Sequence, residues 1–321
     1  MRITLGPGTY VVAVSGGVDS MVLLDLLVKQ YGSKVKSQKS KARDLGIQTL
    51  VTRSFDLKHR FIVAHFDHGI RPDSAADKEL VQSLAKEHNL PFVFKKGHLG
   101  PKTSEAAARK ARYEFLRQVQ KSSKAHAIIT AHHQDDRLET AVLNLLRGSG
   151  RRGLTSLKST NQILRPLLGH SKQQLREYAV NHSLKWREDP SNDDTRYKRN
   201  HIRHNIMPRF SAGAKAQLLI LLEDLEVMNI ELDQHVNNLL HTQPAMNILD
   251  RRWFILLPHD ISKELAHAWL SRHKVRNLNK KTVERLVVSM KTAHSGRCID
   301  VDMSHVLQIK NASLALMPID R

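Results

Sequence analysis

The residues whose types and spacing could do chemistry begin at Ser15-Gly16-Gly17-Val18-Asp19-Ser20. A β-branched run, Val11-Val12-Ala13-Val14, precedes them and reads as a buried strand of a parallel sheet. The run Met21 to Leu27 follows and reads as a helix packed on that sheet. A turn of this composition presents backbone N–H groups. Its two glycines let an anion approach the main chain, and the helix N-terminus favours negative charge. Ser15 and Ser20 add hydroxyl donors, and Asp19 can either hold Mg²⁺ or cap the helix. The six residues are therefore expected to bind phosphate. Neither Gly-x4-Gly-Lys-[Ser/Thr] nor Gly-x-Gly-x-x-Gly is present, so the loop is not a Walker A or dinucleotide loop.

Two more polar clusters follow buried strands, where α/β sheets bind ligands. Phe61-Ile62-Val63-Ala64 delivers His65-Phe66-Asp67-His68-Gly69-Ile70-Arg71. A zinc reading of His65, Asp67 and His68 lacks a second ligand pair at fitting spacing. Nucleotide contact is the expectation, and a plain turn at Gly69 is the alternative. Ala127-Ile128-Ile129-Thr130 delivers Ala131-His132-His133-Gln134-Asp135-Asp136-Arg137-Leu138-Glu139. Paired carboxylates there can hold Mg²⁺ across phosphates, or cap a helix. With Asp19 expected nearby, the metal reading is preferred. Between these clusters, Arg109 and Arg112 lie three apart on a strong helix beginning at Ser104. They share a face suited to phosphate, with Tyr113 expected off that face.

Arginine recurs further along. Arg147-Gly148-Ser149-Gly150-Arg151 reads as a mobile anion-binding loop. In Arg199-Asn200-His201-Ile202-Arg203-His204, His201 and His204 read as a solvated or RNA-facing pair rather than a metal site, with no acidic partner close by in sequence. The chain has 321 residues and a formal charge of +20, which points to nucleic acid first and an anionic surface second. No apolar run reaches membrane-spanning length, and no signal peptide is read at the N-terminus. One cysteine, Cys298, excludes an intrachain disulfide and fits a reducing, cytoplasmic setting; its alternating surroundings suggest a packed side chain. A basic stretch from Ser33 to Arg60 reads as an insertion, solvated or touching RNA backbone.

The elements that must position these residues form an α/β, doubly wound parallel sheet over residues 1–209. A smaller helical and α+β domain is expected over residues 210–321. It opens on one long helix from Ser211 to His241 and ends on alternating pairs Ile299/Val301, Leu307/Ile309 and Leu314/Leu316, the pattern of a small antiparallel sheet.

The loop resembles that of the N-type ATP pyrophosphatases, of adenine nucleotide alpha hydrolase-like fold. The ordered set SGGVDS, HFDHGIR, EAAARKARYEFL, TAHHQDDRLET, RGSGRRGL, RPLL, WREDPSN and RNHIRH narrows this. Together these motifs resemble the tRNA(Ile)-lysidine synthetase family, motif by motif over about the first 210 residues. The resemblance implies an ATP-dependent ligase acting in tRNA modification. ATP adenylates C2 of the wobble cytidine in the CAU anticodon of tRNA(Ile), and the ε-amine of free L-lysine displaces AMP. Decoding changes from AUG to AUA. It implies ATP at Ser15–Ser20, Mg²⁺ on Asp19 and Asp136, and Arg109 and Arg112 against phosphates or the cytidine. Asp135, His133 or Glu139 would take the proton, and Arg147, Arg151, Arg199, Asn200 and Arg203 would meet tRNA. Asp67 stands where many members carry Asn, and the end at Arg321 implies the short form. A homodimer is compatible with the sequence. A tRNA thiolase on the same scaffold is disfavoured by the missing cysteine pair.

Overall fold

The computed structural model describes residues 1–32, 58–69, 74–97, 100, 103–188, 195–276 and 278–319. Most of the basic stretch from Ser33 lies outside the described residues, as do Ile70-Arg71 and Asp189-Pro190-Ser191-Asn192. The chain divides into two compact units, Met1–Leu222 and Glu223–Arg321.

In the first unit, five strands lie side by side: β1 (Gly8–Ala13), β2 (His59–Asp67), β3 (Phe92–Lys96), β4 (Ala127–Ile129) and β5 (Ile163–Leu164). Their order is β3-β2-β1-β4-β5, and every pairing is parallel. The β-branched run puts β1 at the centre, where both faces must be apolar. Val12 packs with Val63 and Ile129 against α1 (Val18–Tyr31), α2 (Ser74–Glu87) and α6 (Lys172–Asn181). Its neighbour Val11 points the other way and packs with Ala64 and Ile128 against α3 (Glu105–Ser122). Helices thus cover both faces, the doubly wound arrangement expected. The chain builds outward from β1 to β3, then returns to β1's other edge with β4. The crevice beyond the strands' C-terminal ends, where the order reverses, falls between β1 and β4.

After β4 comes α4 (Gln134–Leu146), followed by α5 (Arg151–Leu154). α7 (Lys198–His201) runs directly into a π-helical turn, Ile202–Ile206, and a 3₁₀ turn, Met207–Arg209. Leu138, Ala141 and Val142 of α4 bury against Ile202, Met207, Leu219 and Leu222. The last two belong to α8 (Ala212–His241), the long helix that its apolar period predicts.

In the second unit β6 (Ile248–Asp250), β7 (Cys298–Asp302), β8 (His305–Ile309) and β9 (Ser313–Pro318) form an antiparallel sheet in the order β6-β9-β8-β7. Trp269, Phe254, Leu286 and Leu307 fill the core between it and α9 (Arg251–Leu256), α10 (His259–Arg272) and α11 (Lys280–Thr292). The expectation for Cys298 is corrected. Alternation along β7 turns Ile299 and Val301 inward, which leaves Cys298 exposed.

Candidate functional site

The loop after β1 is built by its own side chains. Gly16 takes φ +94°, a conformation that disfavours any side chain. Ser20 Oγ donates to Gly17 O at 2.9 Å and lies 3.2 Å from Ser15 Oγ, while Ser15 N–H donates to Ser20 Oγ at 3.1 Å. α1 starts after Gly17, which brings no side-chain cap to its first amides. Val18 is buried and anchors the turn in the core. The loop therefore offers amides and hydroxyls around a helix N-terminus, as an anion site requires.

The loop is also braced from a distant segment. Arg187 N–H donates to Gly16 O at 3.0 Å, and Arg187 Nε pairs with the buried Asp77 carboxylate at 2.7 Å. No sequence pattern links positions 16, 77 and 187.

Beyond β4, His133 caps α4 in a reciprocal box with Asp136. Asp136 N–H donates to His133 Nδ1 at 3.4 Å, and His133 N–H donates to Asp136 Oδ2 at 3.0 Å. His133 Nε2 then lies 3.7 Å from Asp19 Oδ2 and 3.4 Å from Asp136 Oδ2. One buried imidazole thus stands between the two carboxylates expected to share a metal, and its Nδ1 lies 3.6 Å from Asp135 Oδ2. Among the described residues, no group of three or more His, Cys, Asp or Glu is arranged to hold a metal ion.

The carboxylates are met by basic residues. Lys172, the first residue of α6, puts Nζ 2.7 Å from both Asp19 oxygens, and its backbone N–H donates to Asp135 Oδ2 at 2.7 Å. Arg199 Nη2 lies 3.0 Å from Asp136 Oδ1, and Arg199 Nε lies 3.1 Å from Glu139 Oε2. Arg203 donates to both Glu139 oxygens, at 2.7 and 2.9 Å. The structure thus places two residues expected on the tRNA side against buried carboxylates of α4. Asn200 beside them is buried. Arg147 is exposed at the C-cap of α4, and Arg151 opens α5.

Arg109 and Arg112 come together, and Tyr113 joins them rather than turning away. Its ring lies 4.9 Å from the Arg109 guanidinium carbon and 5.5 Å from that of Arg112. Position 113 is four residues after Arg109, one helical turn on, which brings their side chains within reach. Burial and the neighbouring arginines, Arg109 among them, depress the pKa of Arg112. At the end of β2, Asp67 accepts from Gly69 N–H and Ser74 Oγ, both at 2.8 Å, which ties the end of β2 to the start of α2. His65 is buried with Nδ1 2.8 Å from Val14 O.

The adjacent histidines have opposite titrations. Burial, helped by Arg112, Arg165 and Arg109, pushes His132 down to about 3. Burial also opposes a charge on His133, but Asp135, Asp136 and Asp19 outweigh it and raise its pKa. The His133 hydrogen bond holds Asp135 down to about 2. Linkage fixes the signs. His133 stabilises the fold below its ordinary 6.5, a contribution lost as pH rises through its raised value. His132 stabilises it above 6.5, a contribution lost as pH falls toward about 3. Imidazole NMR is expected to show one ring titrating above 6.5 and its neighbour silent until about 3. Two midpoints near 6.5 would contradict the packing described.

Sequence reasoning did not find Lys172 or Arg187. A faint signal existed for Lys172: Ser171-Lys172-Gln173-Gln174 is a capping box, and a lysine opening a helix opposes the helix dipole.

Comparison with known proteins bears on the family and the fold. Residues 4–210 match the PP-loop domain family. The chain is 36% identical over 217 residues to the tRNA(Ile)-lysidine synthase of Thermus thermophilus, covering 64% of this chain and 37% of that one. It is 32% identical over 290 residues to that of Thermosipho africanus, covering 86% and 60%. The chain therefore spans about two fifths to three fifths of the length of these curated relatives. Among solved structures, the U34-tRNA thiolase NcsA from Methanococcus maripaludis, with its 4Fe-4S cluster, has a TM-score of 0.51 at 16% identity. That alignment covers 69% of this chain and 74% of that one, a likeness of fold alone. With the phosphate-type loop on the central strand and a family match over residues 4–210, the chain belongs to the PP-loop domain family.

Proposed function

We propose that this protein is a tRNA(Ile)-lysidine synthetase. It would use ATP to join free L-lysine to C2 of the wobble cytidine in a CAU anticodon. The observation that supports this most is the convergence of Ser15–Ser20, Asp19 and Asp136 at one crevice, in a chain 32% identical over 290 residues to a tRNA(Ile)-lysidine synthase. In this reading residues 1–209 carry catalysis and residues 210–321 recognise tRNA.

In the first step, cytidine O2 attacks the α-phosphorus of ATP and pyrophosphate leaves. The loop amides and the Ser15 hydroxyl hold the departing phosphates, while buried Ser20, its proton given to Gly17 O, shapes the turn. In the second, the lysine ε-amine attacks C2, the C2–O2 bond breaks, AMP leaves with that oxygen, and one proton is released. His133, Asp135 and Glu139 are the three candidates for that proton; both Glu139 oxygens are held by arginines, and the His133 Nδ1 lone pair accepts the Asp136 N–H.

The donor set suits Mg²⁺, which takes one or two carboxylates and completes its shell with phosphate oxygens and water. Asp19 and Asp136 would hold it, since both approach the same imidazole nitrogen. Bound Mg²⁺ would neutralise charge on the phosphate chain. Arg109 and Arg112 are assigned to phosphate or the cytidine, and Arg147, Arg151, Arg199, Asn200 and Arg203 to the tRNA side. Arg199 and Arg203 would act there through the edge of the α4 carboxylate network. A cytoplasmic setting follows from a tRNA substrate. A homodimer is compatible with the reading but not required by it.

The test uses the full chain, Mg-ATP, labelled lysine and a tRNA(Ile) transcript with a CAU anticodon. Label is expected in tRNA, with AMP released, and neither when the wobble cytidine is uridine. AMP release without lysine incorporation would overturn the nucleophile. With six or more phosphates contacted, tRNA affinity is expected to fall about 10³-fold or more between roughly 50 and 200 mM salt. A flat response would rule out tRNA as substrate.

A further inference from the structure

We infer that Lys172 is a displaceable counter-cation. It occupies Asp19 when no divalent cation is bound and gives that carboxylate up when metal and phosphate arrive together. The inference rests on the proposal that Asp19 is a metal ligand. It adds a residue, and a coupling between metal and nucleotide, to that site.

The geometry is bidentate, with Nζ 2.7 Å from Oδ1 and 2.7 Å from Oδ2. The ammonium sits astride both oxygens. A divalent ion brought to the same carboxylate meets the repulsion of that positive charge, so the two compete for Asp19. The backbone of Lys172 stays fixed. Its N–H is held by Asp135 Oδ2, its helix start is set by the Ser171–Gln174 box, and Leu175 and Ala179 bury in the core shared with α1. What can move is the four-carbon stem, whose head is a compact, freely rotating charge.

Partial exposure makes the exchange feasible. The Lys172 side chain is 34% exposed and that of Asp19 26%, so neither is left buried and unpaired when they part. The ammonium would next meet the phosphates held by the loop. Asp135 already receives the Lys172 backbone N–H, and Asp136 is paired with Arg199. The placement also accounts for a lysine where the helix dipole disfavours one: Asp19 and Asp135 supply the compensating charge. The consequence is positive coupling. Metal alone binds weakly because it must expel Lys172. Phosphate draws the ammonium off and so tightens the metal.

Mn²⁺ binding by electron paramagnetic resonance on the full chain tests this without turnover. In the absence of nucleotide, Lys172→Met is expected to bind Mn²⁺ about tenfold more tightly than the unsubstituted chain. Lys172→Arg, which keeps a cation there, is expected to stay within about threefold of it. Pyrophosphate is expected to tighten Mn²⁺ strongly in the unsubstituted chain and much less in Lys172→Met. Equal or weaker Mn²⁺ affinity in Lys172→Met overturns the inference, as does a pyrophosphate effect that survives unchanged. A merely structural lysine would lower thermal stability without tightening metal. Lysine incorporation into tRNA is read separately. Its success alongside an unchanged Mn²⁺ affinity would sink this inference and leave the proposed function standing.

Discussion

Asp19→Ala is expected to lower tRNA-dependent AMP release by about 10³-fold or more, while tRNA affinity changes by no more than about twofold. The expectation comes from position. Asp19 lies in the first turn of α1, on the loop that faces the crevice, and its carboxylate is the one Lys172 grips with both oxygens. Its removal takes away one of the two carboxylates that would hold the cation needed to neutralise phosphate charge. The partly exposed Lys172 is left to water, so folding should change little. Quenched-flow AMP formation with a filter-binding assay on the same preparation separates the two effects. Activity within tenfold of the starting value would remove Asp19 from the metal role. Lost tRNA binding would make it a folding residue instead.

The second large effect concerns stability. Glu139 is 2% exposed, and its two oxygens accept from Arg199 Nε and from Arg203 Nε and Nη2. Glu139→Ala leaves two guanidiniums facing a cavity, with Asp136 as their remaining ion-pair partner among the described residues. Removing one partner of a buried pair costs about 3–5 kcal/mol, and the partial exposure of both arginines favours the lower end. About 3 kcal/mol in a unit of this size corresponds to a Tm lower by about 6–12 °C. Glu139→Gln, which keeps one acceptor, should lose less. Calorimetry decides: a Tm within about 1 °C of the parent would mean that the network contributes nothing net.

The parts of this architecture legible in the sequence are those written locally. Val11 to Val14 followed by Ser-Gly-Gly carries strand, turn and helix start within ten residues, and the site loop lies where those residues require. The carboxylates after Ile128-Ile129 are likewise set by a strand end and a capping box. What escaped is long-range pairing. Lys172 and Asp19 are 153 residues apart, and Arg187 and Asp77 are 110 apart, with no period or motif joining them. Arg199 and Arg203 show a further limit. Composition reads arginines in a +20 chain as facing nucleic acid, yet two of them face carboxylates. Their spacing of four is compatible with either surface. Tyr113 was misplaced because adjacent positions diverge on a helix, while its partner Arg109 is a full turn away. Cys298 was misplaced by one step of strand alternation.

The central place of β1 also governs how the chain is made. One edge pairs with β2, but the other waits for β4, where Tyr10 meets Ala127. At about 5–20 residues per second, synthesis reaches that strand about 6–24 s after β1. Throughout that interval the central strand of the sheet has an unpaired edge on the ribosome. Slow codons or truncation before residue 127 should therefore yield aggregating fragments rather than a smaller folded domain.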